Sequence, residues 1–163
     1  MNTETKKDNL SDHLARQQAL DTQASYIVSA PAGSGKTGLI TQRVLALLCQ
    51  VENPEEILCI TFTRKAASEM KSRIHKALLA AAETPRPDDE FDGQTWDLAT
   101  QALAHNNKMG WDLLQMPNRL RIKTIDSFCN YVSKQFALES DLGNTPQQSE
   151  FPSIYYHMAA REF

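Results

Sequence analysis

The sequence predicts an α/β fold built on a parallel sheet flanked by helices, and three observations predict it. Apolar, β-rich runs alternate with stretches of helical periodicity in the order strand, helix, strand, helix, insertion, strand, helix, which is the order that parallel strands with crossover helices produce. The first run, Tyr26-Ile27-Val28, leads into Ala30-Pro31-Ala32-Gly33-Ser34-Gly35-Lys36-Thr37, with the spacing of a phosphate-binding loop. The second run, Ile57-Leu58-Cys59-Ile60-Thr61-Phe62, is apolar without alternation, as a strand covered on both faces is.

Taken in order, residues 1–11 read as a frayed, disordered tail. Asp12 can cap a helix to Leu20 with Leu14 and Ala19 at helical spacing. A first strand over Tyr26–Ser29 feeds the loop. Leu39, Ile40, Val44, Leu47 and Leu48 follow at the spacing of an amphipathic helix that runs to about Cys49, and Asn53-Pro54 breaks the chain. The strand at Ile57–Phe62 is followed by a helix whose inner stripe is Ala67, Met70, Ile74, Ala77 and Leu78, with Glu69 and Arg73 paired outside it at i, i+4. Thr84–Glu90 is a turn-forming, acidic surface loop. Residues 94–116 have helical character, with Trp96, Ala99, Leu103, Trp111 and Leu114 as anchors and a break at Gly110. Leu120–Ile125 alternates like a strand, and Asp126-Ser127 can cap a helix carrying Phe128, Cys129, Val132 and Phe136. Gly143–Pro146 is another loop, and Ile154–Phe163 begins one more helix.

The chemistry sits in the loop. Successive backbone N–H groups must curl inward to meet phosphate oxygens, and Gly33 and Gly35 permit the positive φ angles that the curl needs. Lys36 supplies a point charge for the terminal phosphates, and the Thr37 hydroxyl is placed to ligate a bridging Mg²⁺. Ala30 stands where the generic pattern has glycine. A plain glycine turn joining strand to helix is the bland alternative, but the flanking apolar run and helical start put the loop at a helix N-terminus, where the dipole favours anions.

Composition narrows the classes. The chain has 163 residues, 41% of them apolar, enough for one domain or part of a larger one. Its three cysteines, Cys49, Cys59 and Cys129, have no CxxC spacing, which argues against zinc and against a disulfide framework. Met1–Asp12 is polar and the apolar runs are too short to span a bilayer, so a reduced, cytoplasmic protein without membrane partners is expected. The net charge is −3, yet base collects at Arg64–Lys76 and Arg119–Lys134 and acid elsewhere. These two stretches are either one local binding face or ordinary solvated helix faces.

Two further blocks carry a resemblance. Thr61-Phe62-Thr63-Arg64-Lys65-Ala66-Ala67-Ser68-Glu69-Met70-Lys71-Ser72-Arg73-Ile74 resembles the TFTxxAAxEMxxRI motif of the UvrD/Rep-like superfamily 1 DNA helicases, and Ile122–Cys129 resembles their next DNA-contacting motif. The TIDSFC form is most like RecB-like or AddA-like helicase and exonuclease subunits. The resemblance implies a RecA-like, phosphate-loop NTPase domain that uses ATP and Mg²⁺ to move along DNA, with a possible partner helicase–nuclease subunit. It places the front half of that first motor domain at 12–138, with a helical insertion at about 84–118, and the start of a further helical subdomain at 139–163.

Residue by residue, the resemblance implies that Lys36 and Thr37 are catalytic, that Thr37 ligates the metal, and that Ala30–Thr37 cradles the nucleotide. Phe62 would lie beside a base of single-stranded DNA, Thr63 and Thr124 at its backbone, and Arg64 at a phosphate where the family has asparagine. The alternative for Phe62 is a core residue closing its strand. Asp126 replaces the family's histidine and suits a helix cap. The adenine-reading glutamine has no clear counterpart: Arg16 is closest in register, with Gln17 and Gln18 adjacent. The family's acidic Mg²⁺ motif and arginine fingers are not found, so the chain is expected to be a fragment that hydrolyses almost no ATP alone. Two other readings are a small phosphotransferase on the same loop and a non-catalytic nucleotide- or DNA-binding module.

Overall fold

The computed structural model describes residues 13–31, 33–136 and 152–162. Residues 1–12, Ala32, 137–151 and Phe163 lie outside it, and with them the predicted tail, the Asp12 cap and the Gly143–Pro146 loop. A helix at 13–19, α1, is followed by α2 (Lys36–Leu48), a 3₁₀ turn at Pro54–Glu56, β1 (Leu58–Thr61), α3 (Arg64–Glu83), α4 (Glu90–Met109), a second 3₁₀ turn at Pro117–Arg119, β2 (Arg121–Thr124), α5 (Ile125–Gln135) and α6 (Pro152–Glu162). The chain divides into two compact units between Ile125 and Asp126.

In the first unit β1 and β2 pair in parallel, with Leu58 opposite Arg121 and Thr61 opposite Thr124. The α/β class is therefore present, though helix dominates. The core lies mainly between helices. Val44, Leu45 and Leu48 of α2 meet Met70, Ile74 and Leu78 of α3 and Ala99 and Ala102 of α4, with Trp111, Leu113 and Leu120 closing the cluster. Of the apolar stripes that the sequence displays, Leu39, Val44 and Leu48 of α2 and Met70, Ile74 and Leu78 of α3 are buried here, whereas Ile40, expected in the α2 stripe, is exposed.

Four expectations are corrected. Tyr26–Ser29 is not a strand: the described sheet has only β1 and β2, and Ile27 is fully exposed. A strand is defined by a neighbour's hydrogen-bond ladder, and no described strand offers one to this segment. β1 is also not covered on both faces, because Leu58 and Ile60 are exposed while Cys59 and Thr61 are half-buried. Third, the helix expected at 94–116 begins at Glu90 and ends at Met109. The Asp89 carboxylate accepts from Asp92 N at 2.9 Å and starts it. At the other end Gly110 takes a left-handed φ of 67° and stops it. The segment after Gly110 is held by side chains, with Leu113 N donating to Asn106 Oδ1 and Trp111 Nε1 to the Glu52 carbonyl. Fourth, Asp126 lies inside the first turn of α5 and not before it; there its charge still favours the helix dipole.

Other elements fall where the pattern put them. Met70, Ile74 and Leu78 are the buried stripe of α3, and Arg73 meets Glu69 at 2.8 Å outside it. α2 ends at Leu48 with Cys49 as its cap.

Candidate functional site

The loop before α2 has the backbone that its glycines allow. Gly33 and Gly35 take φ of 79° and 83°, the left-handed region closed to most residues. Gly35 is the N-cap of α2 and has no side chain to satisfy the first-turn N–H groups, so those donors and the helix dipole stay available to an anion. Lys36 and Thr37 are the first two residues of the helix. The Lys36 ammonium folds back to donate to the carbonyls of Ala30 and Pro31, so the lysine lies across the loop it follows. The Thr37 carbonyl accepts from the Thr41 hydroxyl at 2.9 Å.

Ser34 Oγ is buried with no hydrogen-bond partner among the described residues. Its carbonyl accepts from Arg16 Nη2 at 2.6 Å, and this brings α1 onto the loop. Arg16, Gln18, Tyr26, Val28, Ser34 and Lys36 line one open cleft of about 270 Å³. Gln17 is exposed and is not part of that lining, whereas Gln18 is. Ala30 lines the cleft and Pro31 lies exposed beside it; Ala32 lies outside the described residues.

Arg43 was not singled out by sequence. One nitrogen of its guanidinium donates to the Ala19 and Asp21 carbonyls and the other to that of Ala24, and the group lies 5.3 Å from the Tyr26 ring centre. It therefore secures the segment that leads into the loop. Only its place on the inner side of an amphipathic helix could have signalled this.

The second constellation sits at the C-terminal ends of β1 and β2, where parallel strands present ligand sites. Phe62, the residue after β1, is 84% exposed, so it does not close a core. Thr63 caps α3, its hydroxyl accepting from Ala66 N at 3.1 Å. Arg64 is exposed at the start of that helix. Thr124 is buried, opposite Thr61 in the ladder.

The basic stretches are partly neutralised. Arg73 is held by Glu69, and the Arg119 guanidinium grips both oxygens of Glu55 at 2.7 and 3.1 Å. That bond holds the Glu55 carboxyl below its ordinary range and raises Arg119 further. Burial pushes the Cys59 and Cys49 thiols up, against the thiolate form. Among the described residues no group of His, Cys, Asp and Glu could hold a metal ion, and no helix is long and apolar enough to cross a membrane.

A turn with two glycines at positive φ opening a helix, in a unit that also holds a parallel strand pair, defines a class of α/β protein, and comparison narrows it. Residues 12–157 match the family model for the UvrD/REP helicase N-terminal domain, and the chain belongs to that family. It is 37% identical over 132 residues to an ATP-dependent helicase/nuclease subunit of Thermoanaerobacter sp. (strain X514), covering 77% of this chain and 9% of that protein. The protein of the same name in Moorella thermoacetica is 34% identical over 140 residues, 84% of this chain and 8% of the relative. In Lactobacillus acidophilus the figures are 36% over 122 residues, 74% and 9%. The chain thus spans less than a tenth of these relatives. No solved structure matches it.

Proposed function

We propose that this chain is the front half of the first, RecA-like motor domain of an ATP-dependent DNA helicase that acts on single-stranded DNA in recombination or repair. In this reading residues 12–138 belong to that part of the motor, about 84–118 to its helical insertion, and 139–163, of which the structure describes only 152–162, to the start of a further helical subdomain. The observation that carries the reading is the loop backbone: Gly33 and Gly35 in left-handed conformations immediately before Lys36 and Thr37 at a helix start, in a chain of the UvrD/REP family. The complete protein works in the cytoplasm, on single- or double-stranded DNA, with a partner helicase–nuclease subunit. An exonuclease activity in the complete protein is part of this reading, drawn from the names of its relatives.

The residues present fit a magnesium nucleoside triphosphate. The Ser34 hydroxyl, unpartnered among the described residues, and the open first-turn amides of α2 are donors in want of an acceptor. Lys36 would exchange its two carbonyl partners for phosphate oxygens, and Thr37 would offer its hydroxyl to the metal. When bound, ATP with Mg²⁺ supplies the free energy of phosphoryl transfer. The chain's own part is to bind and orient the triphosphate, while the exposed Phe62 stacks on a base and Thr63, Arg64 and Thr124 hold the DNA backbone. Stacking is sequence-tolerant, as movement along a strand requires.

In the complete protein, Lys36→Ala is expected to abolish ATP turnover stimulated by single-stranded DNA, since each charge-assisted phosphate contact contributes about 1.5–3 kcal/mol to binding alone. Wild-type turnover in that variant overturns the reading. A phosphotransferase would turn over without regard to DNA, and a non-catalytic module would bind ATP without turnover.

A further inference from the structure

We propose that Arg16 is the positioning residue of the phosphate loop, and that it sets affinity for the triphosphate end of the ligand without reading the base. The inference rests on the nucleotide reading above. Arg16 stands on α1, 18 residues from Ser34, and its Nη2 donates to the Ser34 carbonyl at 2.6 Å. The same guanidinium crosses the bare face of Gly35: a Cβ built there would lie 3.3 Å from Nη1. Arg16 therefore grips the turn on which the phosphate cradle depends.

Peptide geometry gives this grip a consequence. The bond between Ser34 and Gly35 is planar and trans, so its carbonyl and its N–H point in opposite directions. Fixing the Ser34 carbonyl on Arg16 therefore fixes the Gly35 N–H on the other side, and that N–H is one of the cradle's donors. With φ positive at Gly33 and Gly35, the peptides between them have unusual freedom to flip. A permanently charged donor on the carbonyl restrains that flip.

The chemistry of the side chain decides what it recognises. A guanidinium has five donors and no acceptor. Adenine presents an adjacent donor and acceptor, which an amide can match and a guanidinium cannot. A guanidinium free to reach a base would favour guanine, whose adjacent O6 and N7 acceptors match its donors, but the Arg16 guanidinium is turned onto the Ser34 carbonyl and over Gly35, and from there it does not distinguish the bases of nucleoside triphosphates.

The test measures binding of ATP, GTP and inorganic tripolyphosphate to the complete protein by titration calorimetry, for wild type, Arg16→Ala and Arg16→Lys. Arg16→Ala should weaken all three by the same factor, roughly tenfold or more, as loss of a charged hydrogen bond implies. Arg16→Lys should recover part of that loss for all three, because an ammonium can still donate to the Ser34 carbonyl. A change confined to ATP or to GTP, or one shared by both with tripolyphosphate unaffected, would show a nucleoside-reading role and overturn the proposal. So would unchanged affinity for all three ligands. If Arg16→Ala fails to fold by circular dichroism, Arg16→Lys decides on the same criterion. A wild-type protein that binds none of the three overturns the nucleotide reading itself.

Discussion

Phe62 follows the last residue of β1 and shows 84% of its surface to solvent. A large aromatic so placed adds nothing to a core, and its exposure gives it a face on which a base can stack. Replacing it with alanine should weaken binding of single-stranded DNA by about 1–3 kcal/mol and leave thermal stability unchanged. Fluorescence anisotropy with a labelled oligonucleotide at fixed salt checks the first part and a melting curve the second. Equal affinity in the variant, or a large fall in melting temperature, would return Phe62 to a structural role. Thr63 works differently, since its hydroxyl already holds Ala66 N; any DNA contact there shares an oxygen with the helix cap.

At the scale of the element, α3 ties the first unit together, packing against α2, α4 and both strands. Ile74 is its most enclosed residue, with no exposed surface. Ile74→Ala removes three carbons from a tightly surrounded site and should destabilise the domain by roughly 2–5 kcal/mol. Urea unfolding followed by tryptophan fluorescence measures it, and a loss below about 1 kcal/mol, less than the transfer of three buried carbons at about 0.8 kcal/mol each, would mean that Ile74 is not part of the core. The two ends of α4 differ in how far the sequence reveals them. Gly110 could be recognised as a break, because glycine reaches a left-handed φ without strain. The start at Glu90 hid behind a run of acids and prolines, and only the Asp89 hydrogen bond to Asp92 N identifies the cap.

Across the first unit, Arg119 links regions that are distant in sequence. It joins the turn before β2 to Glu55 in the turn before β1 and donates to the Trp111 carbonyl as well. Because this pair lowers the folded-state pKa of Glu55 below its ordinary 4.5, its contribution is complete above that value and is lost as pH falls through the depressed one. Glu55→Gln should therefore destabilise the protein at neutral pH. The difference from wild type should shrink on acidification below about pH 4.5. Denaturant unfolding across this range measures it, and a difference independent of pH would assign the effect to packing.

Local rules were enough to settle the glycine turn before α2 and its order relative to the helices, part of the buried face of α2, the buried stripe of α3, and the family. Those rules are glycine at positive φ, a period of 3.6 residues, and motif spacing that survives without knowledge of the fold. They could not settle whether Tyr26–Ser29 or β1 would be covered, because an apolar run states a preference for burial and not which neighbour provides it. Nor could they place Arg16. That arginine stands 18 residues from Ser34, and no periodicity links the two positions. The packing of α1 against the glycine turn before α2 is what turns a residue standing in for an expected glutamine into a donor on that turn's own backbone.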